Sequence, residues 1–172
     1  MKLIFFPLFS VEVFDKDKLG KDKSLGKVEI SREDLGSNEP MWFPLKGVKS
    51  GQILLNSELL APGQKPSGYA GDGQDAPVAG GDNDGKSRRP GSLAGGKKSG
   101  LLGDYEGPVL HVDLIKAKDL VKSDIIGKSD PYAVLKYADQ QDKTPVVKNS
   151  QNPKWDHSSD FAADLQDNER LM

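Results

Sequence analysis

The sequence predicts an all-β protein whose strands fall in two blocks on either side of a non-folding stretch. Three observations carry this. Short runs alternate apolar and polar residues, the two-residue period of a half-buried strand. Clusters of Gly, Pro, Asn, Asp and Ser separate the runs. Thirteen of the 19 glycines fall in residues 62–107, where no apolar period survives.

In the first block, residues 1–61, "FSVEVF" alternates, followed by an acidic loop, "GKVEI", "MWFPL" and "SGQILLNSELL", with Ile53, Leu55 and Leu59 marking a buried face. "DLGSNEP" and "KGVKSG" supply the turns. "SRED" at 31–34 has the form of a cap on one short helical turn. Residues 62–107 read as a flexible Gly-rich linker. In the second block, residues 108–172, "VLHVDLI" and "DPYAVLKY" alternate, "TPVVKN" is short and β-branched, and "WDHSSDFAADL" gives a fourth strand. "DLQDNERLM" closes the chain with the look of a helical turn. Neither block stands well alone, because four short strands in about 60 residues bury little surface and leave open edges.

Composition excludes several classes. Net charge is −2, so no bulk positive field draws nucleic acid. With no cysteine there is no disulfide framework, thiolate metal site or thiol nucleophile, a usage compatible with the cytosol. "MKLIFFPLF" carries no small-residue cleavage site and passes directly into "SVEVFDKD", so it reads as the start of a buried strand rather than a leader. No segment approaches the roughly 18–20 apolar residues of a membrane span.

Two motif matches fail on context. "GGDNDGKS" at 80–87 fits the phosphate-loop pattern, but no strand leads in, and Pro90 and Gly91 would break the helix that must lead out. Its "DNDG" lacks the acids a calcium loop of the EF-hand type needs, since Gly80 and Gly91 hold those places. His111 and His157 have no Ser or Glu partner at a telling spacing and read as structural. With no catalytic constellation, the chain is expected not to be an enzyme.

The second block resembles the first half of a C2 domain, through "VLHVDLIKAKDL", "SDIIGKSDPYAVL" and "KTPVVKNSQNPKWD". The first block resembles the second half, through "VEVFDKDKLGKDKSLGKVEI", "WFPL" and "SGQILLNSELL". The closing strand is most similar to the tandem C2 domains of extended synaptotagmins and tricalbins. The order is reversed, and two arrangements account for it. One is a window cut from a tandem array, holding the tail of one domain and the head of the next. The other is a circular permutation, in which the halves pair as one antiparallel eight-stranded sandwich, within the chain or swapped between chains. The second is favoured, because a linker of about 46 residues spans roughly 35–40 Å and costs little to close.

The resemblance implies a calcium site shared by two loops. It carries over Asp124 and Asp130 from one loop, and Asp15 and Asp17 from the other. The last expected acid falls on Lys23, with Asp22 one residue early. Calcium takes 6–8 hard oxygen ligands, more than either loop offers alone. Leu19, Ile125 and Ile126 near the loop tips would insert between headgroups, and Lys16, Lys18, Lys21 and Lys23 would favour anionic phospholipid. The implied function is calcium-dependent phospholipid-membrane binding, with membrane tethering and lipid transport in a longer protein. The implied place is cytoplasmic and peripheral to membranes, at contacts between endoplasmic reticulum and plasma membrane. The alternatives are a calcium-independent protein- or lipid-interaction fragment, which Lys23 favours, and a regulatory piece of a lipid-signalling enzyme.

Overall fold

The computed structural model describes residues 8–67, 105–122 and 128–163. Among these are eight strands: β1 (Phe9–Asp15), β2 (Lys23–Ile30), β3 (Met41–Pro44), β4 (Gln52–Leu60), β5 (Val109–Lys118), β6 (Pro131–Tyr137), β7 (Gln140–Lys143) and β8 (Lys154–Ala162). They form two antiparallel four-stranded sheets, ordered β2-β1-β6-β7 and β3-β4-β5-β8. The protein is thus an all-β sandwich, as the alternation predicts.

Each sheet takes two strands from each sequence block. β1 pairs β6 from Phe9↔Tyr137 to Asp15↔Pro131, and β4 pairs β5 from Gln52↔Lys118 to Leu60↔Val109. The core is shared likewise. Phe9, Val11, Leu25, Ile30, Ile53 and Leu55 pack with Val112, Leu114, Leu135 and Phe161, all essentially inaccessible. Phe9 and Phe161 meet edge to face at 5.8 Å, a favoured geometry for aromatic pairs. Burying these side chains removes far more apolar surface from water than either block could alone.

Unpaired strand edges invite association, and here both open sides are closed. On one side Lys27 and Lys46 exchange backbone hydrogen bonds across the sheets, at 3.2 and 2.8 Å. On the other, the Asp142 carboxylate of β7 accepts from Ser159 of β8 at 2.6 Å and lies 2.9 Å from the His157 ring, while the Gln140 amide bonds the Ala162 backbone at both ends. His157 is therefore a sheet-to-sheet tie, and His111 lies within β5, held by carboxylates.

The third strand of the second block is a correction. It is Gln140–Lys143, not "TPVVKN". Ala138 turns at φ 54 and sends the chain straight back along β6, with Tyr137↔Gln140 as the closing pair. Pro145 has no N–H to give a ladder, so 144–149 runs as loop, anchored by Val147 N–H on the Pro131 carbonyl. "SRED" does form a turn, a 3-10 helix at Arg32–Asp34, but Ser31 bonds the Asp34 carboxylate rather than capping a backbone N–H. The motif at 80–87 and the "DLQDNERLM" turn lie outside the described residues.

Candidate functional site

The loops 16–22, 45–51 and 144–153, with residues 119–122 and 128–130 of the connection between β5 and β6, lie at one end of the sandwich. β1 ends there on Asp15, which is buried, and whose register partners are Pro131 and Lys23. The Asp15 carboxylate accepts the Asp130 backbone N–H at 2.7 Å, and Lys16 N–H donates to the Asp130 carbonyl at 3.0 Å. Two loops 115 residues apart in sequence are thereby locked together.

Each remaining acid is oriented by a backbone N–H. Asp17 Oδ1 accepts from Leu19 at 2.9 Å, an Asx turn that lifts Leu19 to 98% exposure at the loop tip. Asp130 Oδ1 accepts from Asn149 at 2.7 Å. Asp22 Oδ1 accepts the Asp17 N–H at 3.0 Å, while its Oδ2 accepts from Tyr132 Oη at 2.5 Å and from Lys16 Nζ at 3.2 Å. The Tyr132 bond, then the Asp17 N–H, hold the Asp22 carboxyl below the usual carboxylate range. Burial, then the Asp22 carboxylate, push the Tyr132 phenol up to about 12.

Asp15, Asp17 and Asp130 line one cleft of about 200 Å³ together with Lys16, Lys18, Leu19 and Lys23. Three of the five sequence-predicted ligands are thus brought together. Asp22 is not in the cleft lining. Lys23, standing where the resemblance expects an acid, is in it. Asp124, Ile125 and Ile126 lie outside the described residues. Among the described residues, no three His, Asp or Glu side chains approach closely enough to hold a metal by themselves.

The donor set nevertheless suits a hard cation: carboxylate oxygens on two rigidly joined loops, each aimed by a backbone hydrogen bond. Three lysines line the cleft with three aspartates, so the formal charge of its lining is neutral without any ion. What sequence reasoning missed was Tyr132 as the partner of Asp22. The signal lay in "DPY", whose tyrosine follows the buried start of β6 and faces the acidic loop.

The family model for the C2 domain matches residues 6–45 and 108–172. Extended synaptotagmin-1 of Pongo abelii is 29% identical over 153 residues, covering 88% of this chain and 12% of its own. Synaptotagmin-4 of Arabidopsis thaliana is 43% identical over 70 residues, covering 36% and 12%. The human RasGAP-activating-like protein 1 is 24% identical over 152 residues, covering 84% and 14%. The chain thus spans well under a fifth of the length of these relatives. No solved structure matches significantly. No helix among the described residues is long and apolar enough to cross a membrane.

Proposed function

The chain belongs to the C2 domain family, and from that premise we propose that it binds anionic phospholipid membranes through the loop end of its sandwich, with Asp15, Asp17 and Asp130 contributing carboxylates to a calcium ion whose shell further oxygens, lipid phosphate among them, would complete. The observation that carries this reading is the cleft itself, where three oriented carboxylates, three lysines and the most exposed large apolar side chain of the described residues converge. Calcium would supply positive charge and open coordination places for lipid phosphate. The protein's own residues do the rest. The backbone bonds from Leu19, Asp130 and Asn149 fix the carboxylates in place. Leu19 offers an apolar tip, and Lys16, Lys18, Lys21 and Lys23 each add about 1 kcal/mol near an anionic surface. The extended synaptotagmin relatives suggest that a longer protein uses this module in membrane tethering and lipid transport at contact sites. The module's own role is binding, not catalysis.

Lys23 favours a second reading, in which lipid binding needs no calcium. Its ammonium already supplies in the cleft part of the charge that calcium would add. Sedimentation with phosphatidylserine vesicles, in calcium and in chelator, separates the two. The calcium reading expects tighter binding in calcium, an increment that Asp17→Asn removes. Lys23→Asp should lower the calcium needed for half-maximal binding by about tenfold, since it trades a repelling charge for a ligand. Equal binding in calcium and chelator would establish the second reading. No binding in either would sink both.

A further inference from the structure

The outer face of the β3-β4-β5-β8 sheet carries a second charged surface, separate from the loop cleft. β5 would normally alternate inward and outward, which would send Lys116 and Lys118 toward the core, out of phase with His111 and Asp113. It does not, because the register slips by one residue between Leu114 and Lys116, in its pairings with both β4 and β8. A bulge re-aims every side chain beyond it. Ala117 is buried, and Lys116 and Lys118 both emerge on the outer face. There Lys118 Nζ stands 4.1 Å and Lys116 Nζ 5.9 Å from the centre of the Trp42 ring. Trp42 is 36% exposed, and Lys154 lies across the strand from Lys116.

The same face is polarised along its length. Toward the loop end it carries Lys116, Lys118 and Lys154, with Asp156 paired to Lys154 at 3.4 Å. Away from the loops it carries Glu58, Asp113 and Asp160 around His111, an excess of negative charge. An anionic plane would attract one half of this face and repel the other. A flat approach is therefore unfavourable, and a tilt onto the loop end is favoured. An indole beside lysine ammoniums is the amphipathic pairing that settles at a membrane–water interface, its ring among the upper acyl carbons and the ammoniums at the phosphates.

We propose that Trp42, Lys116, Lys118 and Lys154 form a calcium-independent contact for anionic phospholipid, on the sheet face rather than in the loop cleft. It adds a second point of attachment to the membrane binding proposed above and does not need that cleft to be filled. It also fixes the tilt of the sandwich on the bilayer.

Trp42 reports on its own surface. The chain has two tryptophans, and the other, Trp155, is buried and bonded to the Pro131 carbonyl. The experiment follows tryptophan emission of the full chain in chelator, with vesicles of brominated phosphatidylcholine, with and without one quarter phosphatidylserine. The expected result is a blue shift and quenching with the anionic vesicles alone, absent in Trp42→Phe. Lys116→Gln with Lys118→Gln should weaken this binding about 20-fold and leave the thermal melt in place. Because the signal is read in chelator, failure of the calcium reading is seen separately, as the loss of any calcium increment in sedimentation. Sedimentation with anionic vesicles without any change in Trp42 emission would overturn the proposal, because the membrane would then be met at the loops only. So would an emission shift produced by soluble inositol hexakisphosphate but not by vesicles.

Discussion

At the scale of single residues, His111 is the side chain whose environment most clearly sets a pH dependence. It is 8% exposed, with Nδ1 2.6 Å from Asp160 and Nε2 3.2 Å from Asp113. Burial alone would lower its pKa, but the bonds to Asp113 and Asp160 outweigh burial and raise it to about 9. A histidine with a raised folded pKa stabilises fully below its ordinary value near 6.5, and that stability is lost as pH climbs through 9. Between pH 7 and pH 10 the expected loss is roughly 2 kcal/mol, several degrees in Tm for a domain of this size. His111→Gln should be less stable at pH 7 and lose less across the window. Parallel melts of the two proteins would refute this charge assignment if their pH slopes match. The sequence shows His111 as an unremarkable member of an alternating strand, because Asp160 comes from a strand 49 residues away. That Asp15, Asp17 and Asp130 line one cleft was expected from the C2 resemblance, whose motifs survive in sequence. The engagement of Asp22 with Tyr132 was not, since it rests on a contact spanning 110 residues.

Among elements, the strands that alternate cleanly were legible: β1, β2, β5 and β6 are the runs "FSVEVF", "GKVEI", "VLHVDLI" and "DPYAVLKY". β7 was missed because "QQDK" is all polar, an edge strand defined by its turn and by Asp142 and Gln140 reaching to β8, not by burial. The bulge in β5 was invisible for a related reason, since Ile115 extends an apolar run either way. β2 depends on a local requirement that the sequence states but does not explain. Gly26 has φ +119, and a Cβ there would stand 2.8 Å from both Leu45 Cβ and Val48 Cγ2. The conformation is one that L side chains rarely adopt, and the space is taken by Leu45 and Val48 of the β3–β4 loop, which Lys46 ties to β2. Gly26→Ala is expected to destabilise by about 2–3 kcal/mol, strain and overpacking together. The observable is a lower Tm and a weakened Lys27–Lys46 tie, seen as faster amide exchange at those two residues. An unchanged Tm would show that the junction of β2 with the β3–β4 loop adapts.

For the whole molecule, the question is what joins the two blocks. β4 and β5 are adjacent antiparallel strands, with Leu60 opposite Val109 and 48 residues between them. Adjacent strands need only a few residues to connect, so most of this segment is not required by geometry. Its near end is already engaged, because Ser67 donates through both its N–H and its hydroxyl to the Glu58 carboxylate at 2.9 Å. This is the connection a circularly permuted C2 sandwich would make, and we propose that the two halves pair in that way. Closure entropy falls with the logarithm of loop length, so deleting residues 70–100 should stabilise the fold by about 1 kcal/mol, with one cooperative transition retained. The measurement is a melt of the shortened chain alongside its molar mass in solution. A monomer with a slightly higher Tm is the outcome for halves that pair within one chain, since the remaining 17 residues span the gap easily. A shift from monomer to dimer on shortening would mean that the long linker had allowed a pairing the short one cannot. Dimers from both chains, with Tm rising with protein concentration, would mean that each sandwich takes its two halves from different molecules.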